Sequence, residues 1–200
     1  MAKLDYKKGQ VLNLRGTDFY SRTIQIGMGN YYAHTAWVVD VRENQIRVQE
    51  ASGSYHKKVI TTWYDKDYYD AKFMRNELDL MDFGINADSD EFLNFITIME
   101  GVRYDHFAIA ELALTRFFAM FGSLGRKFMT LRVLSRVTKF WNKNYTSEKM
   151  VDCSELIARG IDKLTDIDVL AELNLNKFEE VTPQLISVLH SKLQAQNKLK

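Results

Sequence analysis

Much of what usually cross-links or punctuates a chain is scarce here. Cys153 is the single cysteine of the 200 residues, and Pro183 is the single proline. One thiol excludes an intramolecular disulfide and a thiolate-rich zinc site, so Cys153 is either core filler or a reactive group. An excess of one charge is also lacking, since 27 Lys and Arg stand against 26 Asp and Glu for a net of +1. Nucleic-acid binders carry a basic excess or stripe, so the balance argues against a nucleic-acid partner. Long apolar runs are missing as well. The most apolar stretch, residues 107–121, is interrupted by Glu111 and Arg116. It falls short of the roughly 20 apolar residues a bilayer span needs, so no transmembrane anchor is expected. The opening MAKLDYKKGQ has positive charge but no apolar segment after it. A cytoplasmic location follows, with release by lysis or delivery in a virion left open.

What is present is enough to build a core, with 46% of residues hydrophobic. No repeat, low-complexity run or Pro/Gly/Ser linker divides the chain. One α+β domain over residues 1–200 is the expectation, β-rich first and helical later.

In the first part, residues 10–14 read as a strand and residues 17–28 as a loop and helix that stops at Gly27 and Gly29. Residues 32–41 are dense in β-branched and aromatic side chains, residues 45–51 alternate, and a polar turn separates them, which predicts a hairpin. Further strands are expected at 57–62 and 71–75. In the second part Asp88, with Glu91 three residues on, predicts a helix start, with Phe92, Phe95, Ile96 and Met99 on one face. Residues 105–145 read as an inserted pair of helices broken at 122–125. Thr182-Pro183 opens a last helix with Leu185, Ile186, Leu189 and Leu193 inward, and residues 194–200 are expected to be loose.

The chemistry centres on Val151-Asp152-Cys153-Ser154-Glu155-Leu156-Ile157. Asp152 can cap a helix there, which puts Cys153 at its first position and turns Leu156, Ile157, Gly160 and Ile161 inward. Activated cysteines titrate at about 3.5 to 7.5, against about 8.5 for a free thiol. A helix end contributes up to about 2 kcal/mol, or about one and a half pKa units, so a cation must supply the rest. Of His34, His56, His106 and His190, only His34 opens a strongly predicted strand, and rigid elements hold catalytic geometry best. Glu50, on the hairpin partner, would orient it. Side chains alternate along strands, so His34 and Glu50 share a face if the turn is odd in length or a bulge intervenes. A regular four-residue loop would separate them.

These residues resemble the circularly permuted relatives of the NlpC-type papain-like amidases and peptidases, the YaeF/YiiX-like group. In that group a strand carrying a His-Thr pair comes first and a Cys-Ser-Glu-Leu helix comes last. The resemblance runs through Tyr32-Ala33-His34-Thr35 and Gln49-Glu50-Ala51, then Gly101-Val102-Arg103-Tyr104-Asp105, Asp152-Cys153-Ser154-Glu155-Leu156 and Val181-Thr182-Pro183. It implies a permuted papain-like fold with an antiparallel sheet packed on helices, and an amidase or peptidase acting on cell-wall (peptidoglycan) peptides without a cofactor. Cys153 would be the nucleophile, His34 the base and later acid, and Glu50 the orienting residue. The Cys153 N–H would contribute to an oxyanion hole. Two features depart from the pattern: a long connection from Tyr104 to Cys153, and Asp152 where an aromatic is common.

Plainer readings stand beside these. A lone cysteine is among the most buried residue types, a lone histidine is usually structural, and a glutamate late in a strand is usually surface. The helix start and the His34 context tip Cys153 towards a reactive thiol. His106 reads as a polar helix-start residue, and zinc held by His56, His106 and carboxylates lacks a recognisable spacing. Residues 122–149 form a basic amphipathic pattern that either lies on an anionic membrane or polymer surface or, more commonly, packs its apolar stripe inward. Two other functions stay open. One is a lipid-directed acyl hydrolase or transferase, although the Asn-Cys-Glu-His helix motif of that cousin family is absent. The other is a non-catalytic structural or virion component.

Overall fold

The computed structural model describes residues 3–16, 21–22, 25–26, 29–52, 56–105 and 150–199. The expected helical insertion at 105–145, its basic amphipathic part and His106 lie outside them, apart from Asp105. The strands are β1 (Val11–Leu14), β2 (His34–Val41), β3 (Gln45–Ser52), β4 (Lys58–Asp65), β5 (Leu78–Met81), β6 (Arg103–Tyr104) and β7 (Met150–Val151). The helices are α1 (Lys66–Met74), α2 (Asp90–Met99), α3 (Cys153–Leu164), α4 (Val169–Leu173) and α5 (Pro183–Ala195), with a 3-10 turn at Phe178–Glu180. Ser21, Arg22, Gln25 and Ile26 are helical, within the span expected to be so.

The fold is α+β. Its sheet runs β5-β1-β2-β3-β4-β6-β7, antiparallel throughout except that β7 joins β6 in parallel. Strand alternation sorts the side chains onto two faces. Val11, Trp37, Ala51, Val59 and Met81 face the core shared with α2, α3 and α5, whereas Leu12, Ala36, Val38, Ile46 and Val48 form a smaller core with Tyr6 and Tyr69. Trp37 is fully buried, edge-on to Phe92 at 6.1 Å between ring centres. Gly160 of α3 lies flat against the same indole, where a Cβ would come within 2.6 Å of Trp37 Cζ2. This close approach seats α3 on β2 and so places the start of α3 near the start of β2.

The hairpin of β2 and β3, the Asp152 cap of α3 and the Pro183 start of α5 all form where expected. On α5, Ile186, Leu189 and Leu193 are fully buried while Leu185 packs at the edge of the core. Two expectations fail. Residues 71–75 are not a strand but the end of α1. Tyr69 and Asp70 turn inward there, and Asp70 accepts hydrogen bonds from the Leu4 N–H (3.3 Å) and the Tyr6 hydroxyl (2.8 Å). Asn76, at φ +56°, then turns the chain into β5, which takes the place beside β1. The cap of α2 is Ser89, whose hydroxyl accepts the Phe92 N–H, and not Asp88. Past the end of α5, Lys198 meets the Glu172 carboxylate at 2.5 Å and Leu199 packs at the edge of the main core. Among the described residues, no helix is long and apolar enough to cross a membrane.

Candidate active site

The hairpin decides whether His34 and Glu50 can meet. Near the turn Val41 pairs with Ile46 and Asp40 with Arg47, so residues 42–45 form an even-numbered connection, the case that separates the two side chains. The register then shifts between Asp40 and Val38, and beyond this bulge Val38 pairs with Val48 and Ala36 with Glu50. Val39 is the extra residue. It moves His34, two positions from Ala36, onto the face that carries Glu50.

On that face His34 Nε2 lies 2.5 Å from Glu50 Oε2. The other carboxylate oxygen, Oε1, accepts a 2.5 Å hydrogen bond from the Tyr64 hydroxyl on β4. The His34 and Glu50 side chains are 25% and 14% exposed, so their attraction is only partly screened by water. Cys153 also acts on the His34 ring, raising its pKa.

Cys153 occupies the first position of α3, 3% exposed. Asp152 caps the helix by accepting the Glu155 N–H at 2.8 Å, and the Ser154 hydroxyl bridges between Asp152 and the Val181 carbonyl at 2.9 Å each. The opening turn is thereby fixed to the chain that leads into α5. A helix leaves its first N–H groups without internal partners. The Cys153 N–H is one of these, at the positive end of the helix dipole.

The charges follow from these contacts. Burial alone would push the His34 pKa down, but its contacts with Cys153 and Glu50 outweigh burial and raise it to about 10. For Glu50 burial pushes up, while His34, the Tyr64 hydroxyl and the nearby exposed His56 together hold the carboxyl below its ordinary range. At neutral pH the ring is thus held protonated beside an ionised carboxylate. Beneath the thiol, burial raises Asp152 to about 6 against the hydrogen bonds from Glu155 and Ser154, and Asp105 pushes it the same way. Burial and then Asp152 raise Glu155 to about 7, although Arg159 opposes them through contacts of 2.6 and 2.7 Å.

No protein-family model matches the chain, and no curated protein matches it. The site therefore rests on its own geometry.

The structure brings together Cys153, His34 and Glu50, the three residues singled out in the sequence. The other two described histidines stand apart in role. His56 is exposed in the turn before β4, and His190 on α5 binds the Asp82 carbonyl at 3.1 Å with its ring edge-on to Phe83. Among the described residues no group of three or more His, Cys, Asp or Glu side chains is placed to hold a metal ion. Tyr64 was missed because the strand was expected to stop at residue 62. It runs on to Asp65, and the continuing apolar and aromatic character of Trp63-Tyr64 was the available signal.

Chemically the arrangement offers a sulfur at a helix start, a ring that gives up a proton as imidazolium and takes one back as imidazole, and a carboxylate fixing that ring. These are the parts of thiol-based acyl transfer.

Proposed function

We propose that the chain is a thiol-dependent hydrolase of amide or peptide bonds on a permuted papain-like fold. The observation that carries the reading is the His34 ring bound to the Glu50 carboxylate at 2.5 Å, with Cys153, at the start of a helix, acting on the same ring. The Cys153 thiolate attacks the substrate carbonyl, and the Cys153 N–H stabilises the oxyanion. His34 then gives its proton to the departing amine, which leaves a thioester. Water, losing a proton to His34, attacks that thioester. The carbon–sulfur bond then breaks, the acid is released, and sulfur leaves as thiolate beside the His34 ring, which holds the proton taken from water. The His34 side chain is the more exposed partner, so substrate approaches from its side.

The substrate class comes from the family resemblance, which favours cell-wall peptides. Turnover is to be measured on muropeptides beside phospholipid vesicles, for the wild type and Cys153→Ala. Release of an amine from muropeptide that disappears in the variant is the expected result. Acyl release from lipid alone would replace the amidase with a lipid hydrolase. Activity of the variant at the wild-type rate would remove thiol catalysis.

A further inference from the structure

The Glu50 carboxylate is held at both ends, and only one end is explained by His34. Its second oxygen takes the single proton of the Tyr64 hydroxyl at 2.5 Å. The Tyr64 ring is half-buried and meets the Tyr69 ring edge-on at 5.8 Å, and Tyr69, 2% exposed, meets Tyr68 in the same way at 5.0 Å. Tyr69 belongs to α1, whose next residue, Asp70, anchors Leu4 and Tyr6. The phenol is thus braced by a helix on the side of the sheet opposite α3. Tyr64 lies opposite Ile46 on the same face as Glu50, so its hydroxyl reaches along the strands to the carboxylate. A carboxylate with one free oxygen can rotate about its terminal torsion, which is broad and roughly two-fold. With both oxygens engaged it presents a fixed acceptor to the ring.

We infer that Tyr64 is a positioning residue which locks the Glu50 carboxylate and, through it, sets the orientation of His34 towards Cys153. The inference rests on the thiol-hydrolase reading and adds a fourth member to its relay. Donation from Tyr64 also favours the ionised form of Glu50. Its loss lets Glu50 take up a proton at higher pH, and the ring loses its fixed partner sooner as the medium is acidified.

The test is a double-mutant cycle of Tyr64→Phe and Glu50→Gln, with Cys153→Ala as the reference for thiol dependence. Readouts are kcat and KM on a muropeptide amide across pH, the rate of Cys153 alkylation by iodoacetamide across pH, and the thermal midpoint. Tyr64→Phe keeps the ring and its aromatic contacts. The expected result is a kcat lowered about tenfold with KM unchanged, as misplacement of a catalytic group produces. The acid limb of both pH profiles should move upward, and the substitution should have no further effect in the Glu50→Gln background. An equal loss in both backgrounds, or a lowered thermal midpoint with unmoved pH limbs, would overturn the role of Tyr64 alone. Cys153→Ala turning over at the wild-type rate would remove the hydrolase reading and this one with it.

Discussion

Glu50 stands directly opposite Ala36, and His34 reaches it from two positions further along the same face. The turn by itself dictates the other arrangement, and the additional residue at Val39 reverses it. Deleting Val39 turns β2 and β3 into a regular ladder while leaving Val38 opposite Val48 and Ala36 opposite Glu50. The deletion variant should therefore keep the His34–Glu50 contact, despite losing a residue from mid-strand, and should be less stable because Val39 packs at the edge of the main core. Histidine NMR titration checks this. A folded variant in which His34 returns to the ordinary range near 6.5 would show that the bulge is needed for more than strand parity.

The raised pKa of His34 links the site to stability. A group held above its unfolded value of about 6.5 stabilises the fold fully below that pH, and the benefit is lost as pH rises through the folded value. For His34 the window runs from 6.5 to about 10. The stability gap between wild type and His34→Gln should shrink across it when followed by urea unfolding. In Cys153→Ala the ring loses one of the contacts that raise it, so the His34 titration should move down. An unmoved titration would separate the ring from the sulfur.

Asp152 acts in the opposite sense. Its folded pKa of about 6 lies above the ordinary 3.8, so ionisation costs stability progressively between those values and fully above them. Asp152→Asn keeps a capping side chain and removes the buried charge. It should gain stability relative to wild type as pH rises from 4 to 6, with a gain on the order of 3 kcal/mol at neutral pH and none at pH 3.5. Chemical denaturation at several pH values measures the difference. A gap independent of pH would show that Asp152 carries no such cost.

Gly160→Ala tests how closely α3 sits on β2. The added methyl would come within 2.6 Å of Trp37 Cζ2 and 3.1 Å of Phe95 Cε1, and the indole is fully buried. Overpacking of this kind costs about 1–3 kcal/mol. Because the same contact seats the start of α3, cysteine alkylation should slow as well. Unchanged stability would mean that the helix can slide without penalty.

The features legible in the sequence were those with local causes. The hairpin shows in its alternation, the start of α3 in Asp152 as a cap before an inward stripe, and the start of α5 in Thr182-Pro183. Residues 71–75 misled because Ala-Lys-Phe-Met-Arg is a short, mostly apolar run without a cap of its own, whereas contacts from Tyr6 and Leu4 to Asp70 anchor α1 as a helix. β5 was overlooked because its partner, β1, is distant in sequence. The candidate site was legible for the same reason as the hairpin. His34 and Glu50 share one local unit, and Cys153 announces itself through its cap. Tyr64 depends on a register across two ladders, which spacing alone does not determine.

The chain order also bears on synthesis. The histidine, the carboxylate and the phenol lie on three consecutive strands joined by short connections, whereas the sulfur arrives on a helix that emerges from the ribosome long afterwards. A nascent chain can therefore assemble His34, Glu50 and Tyr64 before Cys153 has been made, and the sulfur joins them only when the late helix docks against the indole of Trp37.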